Sequence, residues 1–133
     1  PLPKRVIWDL KTRADRSAKE LWASPARGNR HYWLGFDEKS TEEVIASYNQ
    51  KDNSVTVEKA TDGLKVYLNH RMLNLRKAVK FNIAGQSQML HVDTSIKNLA
   101  ITAMERGDEN YLFEAVVEIK KADGKWAVSN FTP

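Results

Sequence analysis

The chain has 133 residues, 41% hydrophobic and 29% charged, which suits one globular domain with one core and excludes a disordered or fibrous chain. No apolar run approaches the ~20 residues of a membrane-spanning helix, and the absence of cysteine excludes disulfides, zinc-thiolate sites and a thiol nucleophile. The net charge of +4 is uneven: residues 1–30 hold eight Lys/Arg against three acids, whereas residues 31–133 hold thirteen bases against fourteen acids.

The chain opens Pro1-Leu2-Pro3, without Met and without a signal-peptide pattern, and reads as a piece cut from a longer precursor. Arg5–Leu10 reads as a short strand. Residues 11–30 are less regular. Ala14, Ala18, Leu21 and Trp22 have helical spacing, which predicts one or two helical turns, ended by Pro25, Gly28 and Asn29. From residue 31 the period drops to two. Tyr32, Leu34 and Phe36 share a strand face, as do Val44, Ala46 and Tyr48. Asp52-Asn53 is a turn signal, followed by Val55 and Val57, then the turn Asp62-Gly63.

Leu64, Val66 and Leu68 alternate with Lys65, Tyr67 and Asn69. Val79, Phe81 and Ile83 alternate with Lys80 and Asn82, and Ala84-Gly85 turns the chain into Gln88–Val92. One helix interrupts the pattern. Thr94 or Ser95 can cap it, and Ile96, Leu99, Ala100, Ala103 and Met104 form one stripe that should pack on the sheet core. Gly107 supplies the stop. Phe113, Ala115, Val117 and Ile119 share one face of a longer strand, Asp123-Gly124 turns, and Trp126 with Val128 forms a last short strand.

The fold expected is therefore mainly β: an Ig-like antiparallel β-sandwich of about seven strands, with one short α-helix at about 95–106. Residues 1–30 are expected to be a basic connector with one strand, packed on the sandwich formed by residues 31–133.

No Gly-x-Ser-x-Gly elbow and no glycine-rich phosphate loop occurs in the sequence. His31, His70 and His91 lie on separate predicted strands or strand ends, without the i, i+4 spacing of metal ligands. The acid pairs Asp37-Glu38, Glu42-Glu43 and Asp108-Glu109 fall at turns and read as solvated loop charge, because adjacent strand residues point to opposite faces. The chain is thus read as no enzyme in itself, with no catalytic, metal or cofactor residue assigned.

A candidate interaction surface comprises Trp8, Trp22, Arg27, Arg30, Trp33, Tyr67 and Arg71. Trp33 and Tyr67 oppose the apolar faces of their strands and, beside Arg27, Arg30 and Arg71, offer a platform for a sugar or a protein. The competing reading covers these rings with residues 11–30 or with a neighbouring domain. Nucleic acid is disfavoured, since the excess basicity stops at residue 30.

Arg30-His31-Tyr32-Trp33-Leu34, Val44-Ile45-Ala46, Val55-Thr56-Val57, Leu68–Leu75, Ala78–Gly85 and Leu99–Asp108, in this order, resemble the C-terminal β-sandwich of secreted bacterial α/β-hydrolase-like esterases or peptidases. The sequence departs from that pattern at Ala78, where proline is expected, and at Ala84-Gly85, where Asn-Gly is expected. The resemblance implies secretion or a periplasmic location. It also implies a catalytic domain upstream in the same polypeptide, on which this accessory domain docks; no catalytic residue carries over. A stand-alone carbohydrate- or protein-binding module is the alternative. Residues 1–30 are expected to form the joint, with Trp8 and Trp22 buried against the sandwich. Without the neighbour they are expected to be loose or packed on a second copy.

Overall fold

A computed structural model describes residues 2–9, 21–24, 28–36, 43–98 and 112–131. Their backbone forms eleven strands: β1 Arg5–Trp8, β2 Leu21–Ser24, β3 Gly28–His31, β4 Leu34–Phe36, β5 Val44–Asn49, β6 Ser54–Lys59, β7 Leu64–Leu68, β8 Val79–Ile83, β9 Gln86–Leu90, β10 Ala115–Ala122 and β11 Lys125–Asn130. They make a five-stranded sheet, β1-β5-β6-β8-β9, and a six-stranded sheet, β11-β10-β7-β4-β3-β2. The fold is mainly β and sandwich-like, as the period-two alternation predicts.

The inward rows follow from that alternation. Across the first sheet, Val6, Ala46, Val57 and Ile83 stand in register, and all four are buried. Tyr48, Val55 and Phe81 form the next row. Leu34, Val66 and Val117 are their counterparts in the second sheet. Burying such side chains is worth about 1.5–3 kcal/mol each, and these rows hold the two sheets together.

Several expectations need correction. Among the described residues the strands number eleven, where about seven are expected. Three of them, β1, β2 and β3, arise within residues 1–31, so this stretch supplies strands to both sheets and is more than a connector with one strand. Leu21 and Trp22 are strand residues and not part of a helical turn; the rest of that predicted helix, through residue 20, lies outside the described residues. Tyr32 and Trp33 do not begin a strand. They form the two-residue turn between β3 and β4, with Tyr32 at φ 54°. All pairings are antiparallel except β6 with β8, which run parallel because the intervening β7 lies in the other sheet.

The predicted helix is described only at residues 96–98. Its cap is there: the Asn98 amide donates to Ser95 Oγ at 3.0 Å. Ile96, placed on the core-facing stripe, instead stands 85% exposed, and Asn98 is the buried residue of the turn. Leu99, Ala100, Ala103 and Met104 lie outside the described residues. The turns at Ala84-Gly85 and Asp123-Gly124 have positive φ at both residues, the geometry that matches the twist of a tight hairpin.

The sandwich also closes along one side. Gln86 Oε1 accepts from the Trp126 amide at 3.0 Å. Gln88 accepts from the Val128 amide at 2.9 Å and donates to the Trp126 carbonyl at 2.9 Å. Two side chains of β9 thus occupy backbone groups on the outer edge of β11, which would otherwise be free to pair with another strand.

Candidate functional site

The strand directions bring one set of loops to one end of the sandwich. β5 and β7 run towards it; β1, β6, β8 and β10 start from it. The turn at residues 50–53 and the loop at residues 69–78 meet there, and amide side chains hold them together. Asn53 Nδ2 donates to the carbonyls of Asn74, at 2.9 Å, and Ala78, at 3.2 Å, while its Oδ1 accepts from the Asn74 amide at 2.7 Å. Gln50 Nε2 donates to the Arg71 carbonyl at 2.7 Å. Asn69 Oδ1 accepts from the amides of Arg71 and Met72, and its Nδ2 donates to the Leu112 carbonyl. Asparagine suits these places because its short amide replaces missing backbone partners and tolerates the positive φ of 51° at Asn53.

Below the loop, Met72, Leu73 and Leu75 are buried and anchor it to the core. Above it, Arg71, Arg76, Lys77 and Lys80 are exposed, as is Lys51 on the facing turn. Gln50, His70, Met72, Leu73, Asn74 and Arg76 line an open hollow of about 560 Å³. A second hollow of about 260 Å³ lies on the other side of His70, bordered by Thr94, Ser95, Ile96 and Glu114. Glu114 Oε1 accepts from the His70 amide at 2.8 Å and lies 3.4 Å from its Nε2. Both hollows are open; the first has the buried Met72 and Leu73 in its lining and Arg76 at its rim, whereas the second carries the Glu114 carboxylate. The first therefore suits a surface contact with an anionic group.

Leu2, Pro3 and Lys4 reach this same end. Trp33 Nε1 donates to the Pro3 carbonyl at 2.9 Å, Tyr48 Oη donates to the Leu2 carbonyl at 3.2 Å, and the Tyr48 amide donates to the Lys4 carbonyl at 3.0 Å. The rings of Trp33 and Tyr48 meet edge-on at 5.6 Å. Burial pushes the Tyr48 hydroxyl pKa up, so the donor form is favoured.

The sequence-assigned surface divides accordingly. Trp8, Trp33 and Tyr67 are core residues and offer no exposed surface; Trp8 is buried, as expected of it in the joint, and Trp33 and Tyr67 follow the competing reading in which they are covered. Trp8 stacks on Phe36 at 4.6 Å; Tyr67 packs on Phe113 at 5.7 Å. The covering of Trp33 includes the Leu2–Lys4 stretch. Trp22 and Arg30 are paired backbone positions of β2 and β3; the expectation for their side chains, like Arg27, lies outside the described residues. Arg71 alone is exposed at the end just described. His31 is fully buried beside Trp8 and Tyr32, while His70 and His91 are exposed. Among the described residues no group of three His, Asp or Glu side chains could hold a metal ion, and no helix is long and apolar enough to cross a membrane.

Sequence reasoning missed the Asn69–Ala78 platform. Its signal was present: three cations, Arg71, Arg76 and Lys77, in one short stretch with Asn69 and Asn74. The charge sum over residues 31–133 concealed it, because acids at the opposite end, including Asp62, Glu118 and Asp123, cancel these cations arithmetically but not in space. No family model, curated protein or solved structure matches the chain.

Proposed function

We propose that this sandwich is a non-catalytic accessory domain that docks on and supports a hydrolase catalytic domain preceding it in the same polypeptide, in a secreted or periplasmic protein. The observation that carries this reading is the fastening of residues 2–4. Three hydrogen bonds from Trp33 and Tyr48 hold their carbonyls, and the Leu2 side chain is buried. A domain joined ahead of Leu2 would ride on a stiff joint and not on a free tether, as a supporting role requires. The alternative, a stand-alone binding module for carbohydrate or protein, draws no support from Trp33 and Tyr67, which are buried.

The reading is tested on the gene and on the whole polypeptide. The coding sequence ahead of Pro1 should encode a hydrolase domain. Deleting residues 1–133 should lower the midpoint of that domain's thermal unfolding by several degrees, and the two parts should tumble as one body. A gene without such a domain would sink the proposal. So would hydrolysis of a simple aryl ester by this chain alone, lost on mutating one of its Ser or His residues.

A further inference from the structure

The end of the sandwich that holds residues 2–4 is also its cationic end. Tyr48, which clamps Leu2 and Lys4, lies two residues from Gln50, and Gln50 is bonded to Arg71. Asn53 links the same turn to Asn74 and Ala78, and its carbonyl accepts from the Lys80 amide at 3.1 Å. Lys51, Arg71, Arg76, Lys77 and Lys80, with Asp52 as the one acid of the same turn, therefore share the end of the sandwich at which Leu2–Lys4 are held. Among the described residues, the side chains of Lys51, Arg76, Lys77 and Lys80 have no ion-pair partner, although Lys59, Lys65 and Lys120, elsewhere on the molecule, each have one.

Two further features mark this end as a contact surface. Ile96 places a large apolar side chain, 85% exposed, at the edge of the hollow beside His70. Apolar groups inside a polar rim are the usual anatomy of a protein interface. The platform is also rigid, since its backbone bonds run through Gln50, Asn53, Asn69 and Asn74, so little ordering is needed on binding.

We propose that this end, carrying Lys51, Arg76, Lys77 and Lys80, is the face on which the upstream catalytic domain sits, and that the surface meeting it is acidic. The proposal rests on the accessory-domain reading and adds to it a location and a chemistry. A domain entering beside Tyr48 would meet this end of the sandwich, and Lys and Arg that have no ion-pair partner among the described residues favour a surface rich in Asp and Glu. The opposite end, where Asp62, Glu118 and Asp123 lie, lacks the entry point; at the proposed face the acids Asp52 and Glu114 stand against Lys51, Arg76, Lys77 and Lys80.

The whole polypeptide is treated with a carbodiimide, which joins lysine amines to carboxylates in contact. Lys51, Lys77 and Lys80 should link to Asp or Glu of the upstream domain. The double variant Arg76→Glu/Lys77→Glu should reduce those links roughly tenfold, while Lys121→Glu/Lys125→Glu should leave them unchanged. Interdomain links through Lys121 or Lys125 instead would overturn the assigned face and leave the accessory role standing. An upstream hydrolase domain that forms no links and tumbles independently would overturn both. Salt-sensitive retention of a random DNA duplex, abolished by Arg76→Glu/Lys77→Glu and unaccompanied by interdomain links, would replace the acidic protein surface with nucleic acid.

Discussion

The Tyr67 ring occupies the space where a side chain at Gly35 would stand: a Cβ there would lie 2.8 Å from Tyr67 Cε1 and 3.3 Å from Lys65 Cβ. Tyr67 is wholly buried and packed on Phe113, so it has little freedom to withdraw. Gly35→Ala should therefore destabilise the chain by about 1–3 kcal/mol. Urea unfolding measures this. A midpoint equal to that of the native chain would show that the ring moves aside without cost.

Leu68 lies on the inward face of β7 and is fully buried. Leu68→Asp would place a carboxylate among apolar side chains and should cost several kcal/mol. Thermal unfolding within a degree or two of the native value would contradict the face assigned to β7.

The Tyr48 hydroxyl is raised above its ordinary value of 10.0 by burial. The folded state holds this proton more tightly than the unfolded chain. Its contribution is therefore complete below the unfolded pKa and falls as pH rises from there through the folded pKa. Stability should decline above about pH 10, and Tyr48→Phe should make that decline shallower. Urea titrations at a series of alkaline pH values decide it; an unchanged slope in the variant would remove Tyr48 as the cause.

Asn53 fastens the cationic loop through three hydrogen bonds and holds a positive φ that alanine adopts poorly. Asn53→Ala should cost about 2–3 kcal/mol, and the Asn74 amide should exchange with solvent much faster than in the native chain. Asn53→Asp should recover part of the loss, because one carboxylate oxygen still accepts from Asn74. Equal exchange in all three proteins would mean that the loop is held from elsewhere.

The two glutamines of β9 guard the edge of β11. Replacing both, Gln86→Ala/Gln88→Ala, frees the Trp126 and Val128 amides to pair with another molecule. The variant should self-associate at concentrations where the native chain does not, which sedimentation velocity would reveal. A variant with the native sedimentation profile would show that the edge is blocked by other means.

The part of the fold that was legible in the sequence is the part where chemistry alternates cleanly. Val79-Lys80-Phe81-Asn82-Ile83 can place its apolar residues on only one face, and Ala84-Gly85 and Asp123-Gly124 contain residues suited to positive φ. The reading failed where two physical rules compete. Tyr32-Trp33 looks like strand by propensity, yet Trp33 reaches the Pro3 carbonyl from a turn, and burial of the indole outweighs the preference. Alternation with Val66 and Leu68 puts Tyr67 on an outward face. β7 is instead covered on both sides, and strand periodicity cannot report a second covering layer. The cationic end was hidden because it forms only when residues 50–53 and 69–78 meet.

The path from β6 through β7 to β8 leaves one sheet, adds a strand to the other and returns beside its starting strand. The five-stranded sheet therefore closes only after β7 has crossed to its neighbour, and the six-stranded sheet waits in addition for β10 and β11. The parallel pairing of Ser54–Lys59 with Val79–Ile83 closes only after the intervening chain has crossed, and β10 must come from residue 115 onward to pair with β7. Folding is accordingly governed by encounters between segments distant along the polypeptide, with times on the order of milliseconds to seconds. A chain growing from the ribosome would hold an incomplete, adhesive sandwich until Ala115–Ala122 had emerged.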